Sequence, residues 1–289
     1  MRTSRIIGLI AVGAISLPLL ASCSTKPTVT GPKTKAPIGK QLAELVGSDT
    51  AASDLFGFSV ATSGTTTVVG AIGHAKYAGR AYVFDKTASG WKQVAELKGS
   101  DTAAADYFGW SVAVSGTTAV VGAYGHSNKA GRAYVFTKTA SGWKQAAELD
   151  GSDTVAGDQF GSAVSLSGTT AVVAATSAAN SAGRVYVFTK TATGWNQTAE
   201  LKGSDTVAGA GFGISAAFSG ATTVVGATGE QGTGRAYIFT KTATSWKQAA
   251  ELKGSDSIAG NEFGFSMDVS GTTAVVGADN AGRAYVFQA

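Results

Sequence analysis

Five arginines and five aspartates return at matched positions along this chain. They are Arg80, Arg132, Arg184, Arg235 and Arg283, each opening an apolar run, and the Asp49, Asp101, Asp153, Asp205 and Asp256 of "GSD" triplets. Guanidinium and carboxylate groups in such a pattern can pair with each other, or the cations can form a ring that takes an acidic glycan or a phosphate. Pairing is the preferred reading, with each aspartate also capping its own turn; the cationic ring is the alternative. The chain holds two histidines, His74 and His126, at equivalent points. Neither has an acid or a cysteine close by in sequence, so they are read as solvated loop histidines and no metal or other cofactor is expected. Tyr77 and Tyr124 nearby could stack on a sugar or simply cover a sheet edge.

Catalysis needs a few dissimilar groups converging in one place, and this chain offers the same groups five times. Asp268 departs from the pattern, replacing Ala61, Ala113, Ser165 and Ala217 at its repeat position. One acid does not make the pair that glycoside hydrolysis requires. No Ser–His–Asp signature or phosphate-binding loop is present. The expectation is a protein without catalytic activity, and a hydrolase is the weakest reading.

The elements that must position these residues come from an internal repeat. A Phe-Gly pair recurs at Phe56, Phe108, Phe160, Phe212 and Phe263, at spacings of 52, 52, 52 and 51 residues. Each unit reads as four short strands. In the second unit, "FGWSVAVS" alternates large and small side chains from Phe108 to Ser115, which predicts a half-buried strand with Phe108 and Trp110 on one core-facing side. Phe58 and Phe265 hold the Trp110 position elsewhere and are read as core with it. A Gly-Thr hairpin turn leads to "AVVGA". A third strand starts at "GRAYVF" and a fourth at "WKQAAEL". The connection between the second and third strands varies most, and variable loops on a rigid scaffold are where binding usually resides. It supplies the candidate binding residues His74, Tyr77, Tyr124, His126, Asn128, Asn180, Glu230 and Asp279.

Four antiparallel strands repeated radially predict an all-β fold, a five-bladed β-propeller. The fifth unit ends at "GRAYVFQA" without its fourth strand. "GKQLAELVGSD", from Gly39 to Asp49, matches "WKQVAELKGSD", from Trp91 to Asp101. The N-terminal segment is therefore expected to complete the last blade and close the ring. The units resemble the FG-GAP repeat of integrin α propellers, and more closely its form in exported bacterial proteins: Phe-Gly, a short turn, Val-Val-Gly-Ala, Ala-Tyr-Val-Phe, Trp and Glu-Leu. The resemblance spans residues 39–289. With the variable loops, the leading reading is a surface-anchored recognition module that binds a protein or a glycan through its face loops; an envelope scaffold without a small ligand is the alternative. The relatives' calcium loop has no counterpart, because the first hairpin turn is too short to give six or more oxygens.

Residues 1–22 read as an export signal: Arg2 and Arg5, an apolar run from Ile6 to Leu20, and "LAS" before Cys23, the single cysteine of the chain. The segment resembles the signal of bacterial lipoproteins. That resemblance implies cleavage before Cys23, acylation of Cys23, and a lipid anchor in the bacterial cell envelope facing the extracytoplasmic side. Residues 23–38, with Pro27, Pro32 and Pro37, read as a semi-extended linker. Residues 1–40 hold six of the 23 basic residues and no acid, so the rest is slightly acidic, 17 basic against 19 acidic side chains. A nucleic-acid surface is not expected.

Overall fold

The computed structural model describes residues 10–12 and 39–289. Cys23, the linker and most of the signal segment lie outside the described residues. The fold is all-β: five antiparallel sheets in chain order, the first four with four long strands each and the fifth with three. Sheet two shows the plan, with strands Ser111–Ser115, Thr118–Ala123, Arg132–Thr139 and Gly142–Leu149. The second strand is buried on both faces, since its neighbours stack on either side. The fourth alternates exposed and covered residues, as expected of an edge. Helical turns among the described residues are no longer than four residues.

The expected alternation fails at one place, for a backbone reason. Each Phe is followed by a left-handed glycine, Gly109 at φ 89° and Gly161 at φ 86°, and the ladder slips there. The slip sends Phe108 into the core, fully buried, and leaves Trp110 outside it, half-buried. Phe58 and Phe265 are likewise half-buried, so these three rings are not the core residues that the alternation suggested.

Successive sheets join by one recurrent junction. The Phe108, Phe160 and Phe212 N–H groups donate to the carbonyls of Ala78, Ala130 and Ala182 in the preceding repeat, at 3.0, 2.9 and 3.0 Å. Ser59, Ser111 and Ser215 hydroxyls donate to Gly109, Gly161 and Gly264 carbonyls at 2.7, 2.8 and 2.7 Å. The approach is close enough that a Cβ on Gly122 would sit 2.0 Å from the Gly161 oxygen. Around it, Ala113, Val120, Val135 and Leu149 of one sheet pack on Phe160, Val164, Leu166 and Val173 of the next. Phe160 lies edge-on against Phe188.

The two ends of the series each present half of this junction. On sheet five, Val275 and Val286 stand where Val120 and Val135 are buried, yet they are 39 % and 70 % exposed. On sheet one, Phe56 and Val60 are only half-buried. Residues 40–47 form no strand, so the fourth strand expected for the last blade is absent from sheet five, Phe263–Ser270, Thr273–Ala278 and Arg283–Gln288. The segment instead lies on sheet one: Leu45 packs with Tyr82 and Phe84, as Leu149 packs in its own junction. A short strand, Ile10–Val12, runs parallel to Phe56–Ser63 and also touches Phe263–Ser270. A strand within the signal segment was not expected.

Candidate functional site

The loops between second and third strands vary in sequence, but those of repeats one to three share one backbone. Ala75–Tyr77, Ser127–Lys129 and Ala179–Ser181 are each three successive left-handed residues. Asparagine tolerates that region better than most residues, which suits Asn128 and Asn180. The carbonyls of Asn128 and Asn180 accept from Gly157 and Gly209 in the following repeat, at 3.2 and 3.1 Å. Both side chains stay exposed. These two positions therefore lace one repeat to the next as well as facing outward. Glu230 begins the corresponding turn in repeat four, Glu230–Gly232, and the placement of its side chain lies outside the described part. Asp279 is exposed in the turn Asp279–Ala281, beside Glu262. Burial and the neighbouring Asp279 carboxylate push the Glu262 carboxyl up.

The histidines are not solvated, and acids flank them. His74 Nδ1 lies 3.1 Å from Asp54 Oδ2, and its Nε2 lies 3.9 Å from Asp49 Oδ2. His126 repeats the arrangement with Asp106 at 2.9 Å and Asp101 at 3.5 Å, and is buried. The reason is the fold, which brings the loop before each sheet against the loop within it. Asp54, Asp106 and Asp158 also accept the backbone N–H groups of Ala51, Ala103 and Val155, so they cap the turn that the sequence reading assigned to the GSD aspartates. That backbone bond holds the Asp54 carboxyl low against its burial, with His74 adding to it. The histidine proton then belongs on Nδ1, facing the carboxylate.

The arginines pair, though mostly with a different acid from the one expected. Arg80, Arg184 and Arg235 reach Glu96, Glu200 and Glu251 on the fourth strands, each at 2.7 Å. Arg132 bridges Glu148 at 2.8 Å and Asp101 at 3.0 Å. Arg283, with no fourth strand beside it, pairs with Asp256. The GSD aspartates instead accept tyrosine hydroxyls: Tyr82 to Asp49 at 2.8 Å, Tyr134 to Asp101 at 2.7 Å, Tyr186 to Asp153 at 2.7 Å. Burial, then the aspartate, drives these three phenols far above their ordinary value. Burial pushes the Asp101 carboxyl up, and Tyr134, His126 and Arg132 more than offset it.

The slip at Gly109 has a second effect. It turns Trp110 toward the loop face, where Trp110 meets Tyr124 with ring centroids 4.4 Å apart and Phe58 at 4.7 Å. Tyr107 stacks on Tyr124 at 5.1 Å and 22°, and Tyr77 stands 5.4 Å from Tyr107. The five rings make one partly exposed aromatic platform across repeats one and two. The sequence reading singled out Tyr77 and Tyr124 but missed Tyr107, which occurs in one copy, and sent Trp110 and Phe58 to the core.

A family model described as the FG-GAP repeat matches residues 40–84, 91–136, 143–188, 195–239 and 246–287. The chain belongs to the FG-GAP repeat family. Five sheets and five matched repeats agree with a five-bladed propeller of this family. Propellers of FG-GAP repeats are typically interaction modules rather than catalysts. No curated protein matches the chain. Each matched FG-GAP unit starts in a fourth-strand sequence and ends in the following third strand, so the family unit is offset from the sheet by one strand.

Proposed function

We propose that this chain is an exported, lipid-anchored recognition module of the bacterial cell envelope that binds a protein or a glycan on its loop face. Cys23 carries the anchor after removal of residues 1–22, and residues 23–38 hold the propeller off the membrane. The observation that carries the reading is the platform of Phe58, Tyr77, Tyr107, Trp110 and Tyr124. Aromatic faces with polar tips stack on sugar rings and anchor protein partners at little entropic cost. A glycan array, run beside a pull-down from envelope extract, tests it. The variant Tyr77→Ala/Tyr107→Ala/Trp110→Ala should lose the captured species while keeping the unfolding midpoint. Capture equal to wild type by the triple variant overturns the reading.

The recognition face is most rigid if the propeller closes, and we propose that sheet five meets sheet one in the mature chain. Two matched features support this. Glu44 aligns with Glu96, the partner that Arg283 lacks. Asp268 takes the place of Ala113 on a trailing face, while Thr62 and Thr67 take the places of Leu166 and Ala171 on a leading face. The one junction that would receive a carboxylate thus supplies two hydroxyls to meet it. Cleavage before Cys23 also removes Ile10–Val12 from beside Phe56–Ser63. By the register of Asp85 opposite Lys92, Gln288 would face Lys40. Lys40→Cys/Gln288→Cys in a chain expressed from Ser24, without the signal segment and Cys23, should form an intrachain disulfide. An interchain disulfide, or none, rejects closure within the chain.

A further inference from the structure

We infer that the first repeat carries a binding site for a divalent transition metal, best matched to Zn2+, built from the Asp49 carboxylate, His74 Nε2 and the Glu96 carboxylate. The inference is independent of the partner reading above. One donor atom from each residue lies within 4.8 Å of the others. Around a tetrahedral zinc with bonds of about 2.0–2.1 Å, donors stand roughly 3.3 Å apart. The gap closes by small rotations of Asp49 and Glu96, both exposed at the loop face. The three residues come from separate elements: the segment before sheet one, the turn at His74, and the strand Gly90–Leu97.

Each donor group is held from behind by a different residue. Asp54 takes His74 Nδ1, which leaves Nε2 facing Asp49. The Tyr82 hydroxyl donates to Asp49 Oδ1, and the Arg80 Nε–H donates to Glu96 Oε1. Asp49 Oδ2 and the second Glu96 oxygen stay available. This arrangement of donors turned inward and their other atoms tied outward is how metal ligands are oriented in proteins. One imidazole with two carboxylates gives three protein ligands and an open position, which suits zinc better than the oxygen-only shells of calcium or magnesium.

Repeat two shows what the place accommodates. Asp101, His126 and Glu148 stand in the equivalent positions, and Arg132 Nη1 lies between Asp101 Oδ2 and Glu148 Oε2 at 3.0 and 2.8 Å. A cationic nitrogen fills the site there. In repeat one the Arg80 Nη1 donates to the Gly79 carbonyl at 2.8 Å, so it does not bridge Asp49 and Glu96 as Arg132 bridges their counterparts. In repeat three Ala178 replaces the histidine, so no such donor set forms. A metal in repeat one would fasten Asp49, and with it the segment leading back to the linker, to the loop face of the first sheet.

The test uses the full, untagged chain in detergent, stripped with chelator and titrated calorimetrically with zinc chloride. One zinc per chain is expected, with a rise in unfolding temperature. His74→Gln should weaken binding at least tenfold, and Asp54→Asn by about 10- to 100-fold. Glu96→Gln keeps an acceptor for Arg80 and should abolish the zinc-dependent rise even if His74→Gln folds poorly. His126→Gln and Cys23→Ser should bind as wild type does. Absence of binding, binding unchanged by both His74→Gln and Glu96→Gln, or an equal loss in His126→Gln overturns the site.

Discussion

Phe108 and Phe56 hold equivalent places ahead of the inner hairpins of their sheets and have opposite surroundings. Phe108 is fully buried, its N–H bonded to the previous repeat and its neighbour Gly109 pressed against the Arg80 carbonyl. Phe56 is half-exposed, and a Cβ on its neighbour Gly57 would touch nothing within 4 Å among the described residues. The residues are the same; the difference lies in what precedes them. A repeat of this kind carries two half-junctions, and each is completed only by another copy. Among the described residues, the ends of the series are therefore where half of a junction is left uncovered, and the most informative places to perturb.

The largest effect should come from Gly122→Val. Its Cβ would meet backbone at 2.0 Å, an obstacle that no side-chain rotation removes. A cost above about 3 kcal/mol in urea unfolding is expected, the range of severe overpacking. Gly277→Val is the matched change on sheet five, where the three nearest atoms to a Cβ all belong to Ser266 of its own sheet. If sheet five closes onto sheet one, the two variants cost about the same. If the ends stay apart, Gly277→Val costs under about 1 kcal/mol.

A smaller effect is expected at the phenol–carboxylate pairs. Tyr134→Phe removes a hydrogen bond to a charged acceptor and should cost about 1.5–3 kcal/mol, while Tyr285→Phe, whose bond to Asp256 is exposed, should cost less. The pair has a pH signature. The folded state raises the Tyr134 phenol above its usual 10.0, so it keeps a proton that the unfolded chain loses. Stability from this group is intact below pH 10 and falls as the pH rises beyond it. Alkaline unfolding should be less steep in Tyr134→Phe than in wild type.

The strand plan, the five sheets and the arginine–acid pairing were legible in the sequence, because Phe-Gly spacing and period-two alternation report local geometry directly. What was not legible depended on contacts between units. Nothing local says that Asp54 will face His74, although the separation of 20 residues recurs for Asp106 and His126. The place of Trp110 was misread because a left-handed glycine resets the alternation, and glycine in a strand carries that signal only weakly. The arginines were matched to GSD because both sit at the same end of a unit. The strand register Tyr82 opposite Glu96, which sets Arg80 on Glu96, appears only once the sheet is built.

The finest discrimination between a closed and an open series comes from Asp268. On the face of sheet five as it stands, burial raises its carboxyl, and the Val269 N–H only partly offsets this. A raised carboxyl means the folded chain holds a proton that the unfolded chain gives up, so stability falls as pH climbs from about 4 through the folded value. Removing it by Asp268→Ala should then stabilise at neutral pH, by less than about 1 kcal/mol because solvent screens a half-exposed group. Closure reverses the sign. Against Thr62 and Thr67, whose hydroxyls lie 3.3 Å apart on the leading face of sheet one, the ionised carboxylate would gain two donors. Asp268→Ala would then remove the charged acceptor, leaving the hydroxyls only their weaker bonds to the Thr66 carbonyl and to each other, and cost stability at neutral pH. We expect destabilisation, undone in part by Thr62→Val/Thr67→Ala, the residue types that repeats two and five carry there. A stabilised Asp268→Ala would mean that the two faces do not meet.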